Sequence, residues 1–131
     1  MVAARRHMRL PRRLVERVAA LLIVGALAAC GATIRDLNLR PDRHYQQKVT
    51  VTGRVTRMQS VGDDTLIEAV DTRDSRVLVR APGRVDVSVG DWVQVTGVFV
   101  PEARVADTSV YDVITAEDIS RTSAPWFLNF R

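Results

Sequence analysis

In the stretch "VTVTGRV" (residues 49–55), apolar and polar residues alternate with a period of two. In an extended chain the three valines share one face, and the threonines and the arginine share the other. Gly53 falls on the valine face, where a glycine indicates a bulge, a bend or a close approach of another backbone. The stretch therefore predicts a β-strand with one buried face.

Four further segments have strand character, and turn-forming residues separate them. They are "LIEAVD" (66–71), "SRVLVRA" (75–81), "WVQVTGVFV" (92–100) and a stretch around residues 111–116. We expect Pro101 to end the fourth strand and "EARVADTS" (102–109) to be a polar loop. Five short strands between residues 48 and 120 predict an all-β fold, closed into a small barrel that leaves no exposed edge.

Two of these segments resemble an OB-fold barrel. "VTVTGRV" and "VGDWVQVTGVF" (89–99) are similar to its first and fourth strands, and the OB first strand carries a mid-strand glycine where it bends. The preceding residues 33–47 resemble the lead-in of bacterial OB domains. One departure is that OB-folds often place a helix between strands three and four, for which residues 82–91 are too few. A different small barrel, such as an SH3-like one, stays open.

The first 29 residues have the pattern of a secretory signal. They contain six arginines and one acid, and they end in an apolar run and two alanines. From residue 18 to Cys30 the apolar segment has 13 residues, whereas a transmembrane helix needs about 20. A cleaved signal is therefore favoured over a permanent span.

Leu27-Ala28-Ala29-Cys30 resembles the lipobox of bacterial lipoproteins. The resemblance implies a diacylglycerol on the Cys30 thiol and removal of the signal just before Cys30. The mature domain would then lie on the extracytoplasmic face of a membrane. The alternative is an ordinary secretory cut after Ala28, which leaves a free thiol. The lipoprotein interpretation is favoured because the only cysteine in the chain ends the signal.

The sequence thus predicts four regions: a lipoprotein signal peptide (1–29), an anchor and lead-in (30–47), an OB-like barrel (48–120) and an aromatic tail (121–131). Within the lead-in, "TIRDL" predicts one helical turn capped by Thr33, with Ile34 and Leu37 facing inward.

Charge and composition argue against two classes of function. The chain has 19 basic and 15 acidic residues, of which 13 and 14 lie in residues 30–131, so the mature part is nearly neutral. This balance and the extracytoplasmic location count against nucleic acid as the partner. His44 is the one histidine after the signal, and Cys30 is the one thiol, so ligand sets for zinc or haem are missing. We predict no cofactor, no metal and no catalytic residue; an envelope enzyme with an unrecognised site is the competing interpretation.

The OB resemblance implies a ligand face on the barrel. Four arginines of the predicted strands belong to that face: Arg54, Arg57, Arg76 and Arg80. They could form an electropositive groove for a phosphate or carboxylate ligand. The favoured alternative is a solvated exterior on which these arginines pair with Glu68, Asp71 and Asp74.

Aromatic residues are few in the predicted strands, and two of them share the fourth strand. Trp92 and Phe99 are seven residues apart, so they fall on opposite faces of a strand without a bulge. We therefore expect one of them at most on a ligand face and the other in the core.

The aromatic tail contains Trp126, Phe127 and Phe130. A segment this apolar is expected to be covered. It could fold back as a lid on the barrel, which we favour, or dock onto a partner or a membrane interface.

Together these observations predict a non-catalytic binding or accessory module of the bacterial envelope. Its expected partners are the membrane, through the lipid on Cys30, and an envelope protein. The alternative is an OB-fold that binds single-stranded nucleic acid or oligosaccharide through the barrel face.

Overall fold

The computed structural model describes residues 32–125, which belong to one compact unit, Gly31–Arg131. A short helix and a 3₁₀ turn precede five strands. These elements are α1 (Ile34–Leu39), the 3₁₀ turn (Pro41–Arg43), β1 (Gln47–Val61), β2 (Asp64–Val70), β3 (Arg76–Pro82), β4 (Trp92–Val105) and β5 (Thr108–Arg121).

The five strands close into a barrel in the order β1-β2-β3-β5-β4. β1 is long enough to serve two neighbours: residues 47–54 pair with β4, and residues 54–61 pair with β2. β3 and β5 pair in parallel, and every other pair is antiparallel. The all-β prediction with five strands is confirmed.

The valines of the alternating stretch in β1 face the barrel interior. Val49, Val51 and Val55 are all buried. A Cβ atom on Gly53 would lie 3.0 Å from the Cδ1 of Ile34 and 3.2 Å from the carbonyl oxygen of Val70. Of the three alternatives at Gly53, the structure shows a close approach, by the Val70 backbone and by the Ile34 side chain, which lets α1 pack against β1.

Helix α1 covers one end of the barrel. A capping box starts the helix: the Thr33 hydroxyl accepts from the Asp36 N–H, and the Asp36 carboxylate accepts from the Thr33 N–H, both at 3.1 Å. Ile34 and Leu37 are 0% exposed, as the lead-in pattern predicts. We call this the closed end; it comprises α1, the β2–β3 turn (71–75) and the first residues of β4.

The connection between β3 and β4 contains no helix. The Val55 N–H donates to the Asp91 carbonyl at 2.9 Å, and the Gly90 N–H donates to the Val55 carbonyl at 2.8 Å. These bonds hold the connection against β1, while Val87 packs into the core. In this barrel the closing helix thus precedes β1 and does not lie between β3 and β4.

The prediction that Pro101 ends the fourth strand is wrong, and so is the polar loop at residues 102–109. β4 continues to Val105 and β5 begins at Thr108, so the two strands form a long hairpin. Pairing between β1 and β4 stops at Phe99. Beyond Phe99, β4 is no longer paired with β1. A proline at position 101 has no N–H, but on this unpaired side it removes no hydrogen bond between strands.

The tips of the two long hairpins meet at the other end of the barrel. A Cβ atom on Gly62, in the β1–β2 turn, would lie 3.5 Å from the Cβ of Ala106, in the β4–β5 turn. Val105 next to this contact is 0% exposed. We call the β1–β2 turn (61–64) and the β4–β5 turn (105–108) the hairpin end.

Candidate functional site

An open groove of about 780 Å³ runs along the outer surface at the closed end. Its floor is the outer face of β1 and β4, and its walls are α1 and the β2–β3 turn. The side chains used below are Arg35, Leu39, Arg73, Trp92, Gln94 and Pro125.

The floor of the groove is polar around one aromatic ring. The hydroxyls of Thr50 and Thr96 share a hydrogen bond of 3.0 Å. Thr52 and Gln94 occupy paired positions beside them, and Trp92 is the partner of Arg54 across the same strand pair. Trp92 is half-buried, whereas Phe99, on the opposite face of β4, is core. The expectation that only one of these two aromatic residues reaches the outer face is confirmed.

The walls of the groove contain acidic and basic side chains, and the two kinds make different contacts. Hydrogen bonding to Thr33, first through its backbone N–H, lowers the pKa of Asp36 below its usual 3.8. Asp71 accepts from the N–H groups of Arg73 at 2.8 Å and Ser75 at 2.9 Å, which fixes the β2–β3 turn. Arg35 and Arg73 form no ion pair among residues 32–125. Thus the carboxylates of Asp36 and Asp71 accept hydrogen bonds from backbone N–H groups, whereas the two arginines remain available to a ligand.

Both ends of the described chain border this groove. The Ala32 N–H donates to the Thr50 carbonyl at 3.3 Å, so the lead-in enters along β1. The Thr122 N–H donates to the Trp92 carbonyl at 2.8 Å, and Pro125 reaches the groove lining. The first and last described segments therefore lie on one side of the barrel.

The four arginines predicted for the ligand face do not form one cluster. Arg57 faces Glu68 across β1 and β2, whereas Arg54 faces Val70 and Trp92 at the closed end. Arg76 lies 3.1 Å from the Glu68 carboxylate, and Arg80 lies 3.1 Å from a carboxylate oxygen.

The acid that pairs with Arg80 is Asp64, which is not among the expected partners. Among residues 32–125, the expected partners Asp71 and Asp74 pair with none of the four arginines. The Asp71 Oδ1 instead accepts backbone N–H groups. Glu68 matches the expectation and also accepts from the Thr56 hydroxyl at 2.9 Å. Arg54 and Arg57 make no ion pair among residues 32–125.

A second, smaller depression of about 290 Å³ lies on the outer face of β1–β3. Arg57, Gln59 and Glu68 line it together with Leu66 and Leu78. It lies on the barrel face that the OB resemblance assigns to ligand binding, but Arg57 is the only one of the four arginines that lines it.

Tyr45 forms a contact that no sequence pattern predicts. Its ring stacks on Phe99 with centroids 5.4 Å apart, and its hydroxyl donates to the Asp112 carboxylate. This hydrogen bond raises the pKa of the Tyr45 hydroxyl. Asp112 has a φ of 52°, a left-handed conformation that no glycine marks in the sequence. The pair connects the lead-in to β5.

Several predicted residues lie outside the described residues: the signal peptide, Cys30, Trp126, Phe127 and Phe130. Within residues 32–125, no group of three or more His, Cys, Asp or Glu side chains is placed to hold a metal ion. In the same part of the chain, no helix has the length and apolar character needed to cross a bilayer.

Comparisons with known proteins support the fold alone. No protein-family model matches the chain, and no curated protein matches it. Among solved structures, a protein assigned as an aspartyl-tRNA synthetase from Leishmania major Friedlin is similar, with a TM-score of 0.56 and 16% identity. The similarity covers 74% of this chain but only 21% of that protein.

Proposed function

We propose that this chain is a lipid-anchored, extracytoplasmic binding or accessory module of the bacterial envelope, with an OB-fold-like barrel. In this proposal residues 1–29 are removed and Cys30 carries the lipid. The barrel binds a ligand or an envelope protein and catalyses no reaction.

The observation that carries the proposal is how closely the barrel follows the lipobox. Ala32 already donates its N–H to Thr50 at 3.3 Å, so Gly31 alone separates Cys30 from a residue bonded to the barrel. Two residues span about 7 Å at most. A lipid on Cys30 would therefore hold the closed end against the bilayer, with no flexible linker between them.

Binding is supported by the chemistry of the groove. Hydroxyl, amide and guanidinium groups surround the half-buried Trp92, and such mixtures hold ligands by hydrogen bonding and stacking. The groove is open, which suits a partner surface or an extended ligand better than an enclosed small molecule. A protein neighbour in the envelope is the partner we propose.

The test of the anchor is replacement of the thiol in the full chain, expressed in a bacterium that processes lipoproteins. Cys30→Ser should move the protein out of the membrane fraction or leave it unprocessed, because serine lacks the soft sulfur nucleophile. Thr33→Ser is the matched control, since it keeps both the thiol and a capping hydroxyl. Membrane retention of processed Cys30→Ser would contradict the proposal.

A second candidate is binding of single-stranded nucleic acid or oligosaccharide on the barrel surface. The register that places Arg54 opposite Trp92 favours it, because strand binders combine a cation with an aromatic platform. The ion pairs of Arg76 and Arg80 weigh against it. If this candidate is right, the domain binds an oligonucleotide with a steep salt dependence, Arg54→Ala abolishes that binding, and Arg84→Ala does not.

A further inference from the structure

Three exposed arginines at the groove come from three different elements: Arg35 from α1, Arg54 from β1 and Arg73 from the β2–β3 turn. None of them makes an ion pair among residues 32–125. Arg35 and Arg73 line the groove together with Trp92, and Arg54 is the register partner of Trp92. Tryptophan and arginine are among the residue types that contribute most binding energy at protein interfaces. The groove thus contains the side chains typical of a protein-binding site.

Apolar surface makes up more of the groove lining than polar surface does. Trp92 is half-buried on the floor, and Leu39, on the α1 wall, is 66% exposed. Pro125 adds further apolar surface. An apolar side chain of a partner that covers these residues would remove apolar area from water on both molecules, which favours binding.

The floor of the groove is long enough for several residues of an extended chain. Three pairs of outer-face residues form it: Thr50–Thr96, Thr52–Gln94 and Arg54–Trp92. Four residue steps along β1 separate the first pair from the third, so the floor is about 13 Å long. That length holds about four residues of an extended peptide. Thr52 and Gln94 are exposed, and their hydroxyl and amide groups can bond to a peptide main chain.

Two acids in the lining limit which kind of anion fits the groove. Asp36 uses its Oδ2 to accept from the Thr33 N–H, and Asp71 uses its Oδ1 to accept from two N–H groups of its own turn. A nucleic acid has a charge on every phosphate, so it would place some of them beside these carboxylates. A peptide can direct its carboxylates to the arginines and its N–H groups to the acids. The mixed charge pattern therefore favours a peptide over a continuous polyanion.

We infer that the groove binds an extended acidic segment of an envelope protein. Its carboxylates contact Arg35, Arg54 and Arg73, and a large apolar side chain of the segment packs on Trp92. A guanidinium group suits this role because it can form two parallel hydrogen bonds with one carboxylate. The inference rests on the binding role proposed above and specifies the chemistry of the partner. Every residue that it uses lies in the part of the chain that the structure describes.

The test is a selection from a phage library of random peptides of about ten residues, since the floor holds about four. The full chain, purified in detergent, is the target. The selected peptides should be rich in Asp and Glu and contain a large apolar residue, and their affinity should fall as salt rises. A library that yields no binder, or binders without an excess of acids, would overturn the inference. So would an oligothymidylate that displaces a selected peptide and binds more tightly.

Substitutions locate the binding in the groove. Arg35→Ala and Arg73→Ala should each lower the affinity for a selected peptide about tenfold. Gln94→Glu keeps the size of an exposed side chain but adds a negative charge to the floor, so it should also weaken binding. Arg104→Ala is the matched control, because Arg104 is exposed, makes no ion pair among the described residues and does not line the groove.

Two results with these variants contradict the inference. One is unchanged affinity in both Arg35→Ala and Arg73→Ala, and the other is an equal loss in Arg104→Ala. Cys30→Ser should leave peptide binding unchanged, because no groove residue changes. A chain that is lipid-anchored but binds no acidic peptide would therefore refute this inference alone, and a chain that binds the peptide without a lipid would refute only the anchor.

Discussion

The two ends of the barrel are built by different means. At the closed end, Ile34 and Leu37 of α1 are buried against the barrel core, and Gly53 provides the space for Ile34. At the hairpin end, the chain reverses through two turns whose residues Gly62 and Ala106 have φ values of 59° and 52°. Side-chain packing specifies the first end, and backbone conformation specifies the second.

The comparison suggests a division of roles. The closed end contains the buried lead-in residues Ile34 and Leu37, and both ends of the described chain border the groove there, so changes at this end affect the core and the groove together. The hairpin end depends on the two turns and on Val105, which is 0% exposed.

The largest expected effect is at Gly97, in the wall that joins the two ends. A Cβ atom there would lie 2.2 Å from the carbonyl oxygen of Thr115 and 2.8 Å from the Cα of Ala116, both backbone atoms. Gly97→Ala should destabilise the domain by about 3 kcal/mol or more in urea denaturation.

Gly83→Ala is the control for that substitution. Gly83 has a φ of 72°, and a Cβ atom added to it would meet no other atom within 4 Å, so only backbone strain of about 1 kcal/mol is expected. Equal losses of stability in the two variants would show that the β4–β5 approach at Gly97 is not the constraint.

The next prediction compares the loss of stability when one buried side chain is shortened at each end of the barrel. Ile34→Ala should cost about 3 kcal/mol, because it empties a fully buried position at the closed end. Val105→Ala, equally buried at the hairpin end, removes fewer carbons and should cost about 2 kcal/mol. Denaturation midpoints of both variants check the order. A larger loss for Val105→Ala would reverse the assignment of the packed end.

A smaller effect is expected at the helix cap. Thr33→Ala removes the hydroxyl that accepts from Asp36 and should cost about 1 kcal/mol at neutral pH. The pKa of Asp36 is lowered in the folded state, so the contribution of its carboxylate is present above the usual 3.8 and is lost as pH falls through the lowered pKa. Thr33→Ala keeps the Thr33 backbone N–H that mainly lowers this pKa, so the pH test uses Asp36→Asn, which removes the carboxylate. Stability measured between pH 7 and pH 2 should converge for wild type and Asp36→Asn, and parallel curves would contradict this.

The smallest effect is expected at Tyr45, whose pKa is raised above 10.0 by its hydrogen bond to Asp112. A raised pKa means that the bond contributes fully at neutral pH and that its contribution is lost as pH rises through the folded value. Tyr45→Phe should flatten the alkaline fall in stability. Tyr111→Phe is the control, because Tyr111 is 64% exposed; the same flattening in both variants would exclude the Tyr45 bond as the cause.

Much of the fold could be predicted because its signals are local. The valine alternation in residues 49–55 specifies β1, and Thr33 followed by Asp36 specifies the helix cap. Pro101 is misleading because its effect depends on whether a neighbouring strand pairs there. That neighbour is β1, some fifty residues earlier, and the sequence does not reveal where its pairing with β4 ends.

The groove could not be predicted from the sequence either, because it also depends on which residues pair between strands. Thr52 and Gln94 on the groove floor are neighbours only through the β1–β4 register. Outside the groove, Arg80 meets Asp64 only through the β2–β3 register. Neither register follows from periodicity, which fixes the face of a residue but not its partner. The left-handed position 112 holds an aspartate and not a glycine, so its contact with Tyr45 leaves no local signal either.

We propose that Cys30 becomes the lipid-modified first residue of the mature protein. The most direct measurement is the intact mass of the chain extracted from the membrane fraction. We predict a polypeptide of residues 30–131 with the added mass of a diacylglycerol and, where the amino group is also acylated, of a third chain. A polypeptide that still begins at Met1, or one cut after Ala28 with an unmodified thiol, would contradict lipid attachment at Cys30.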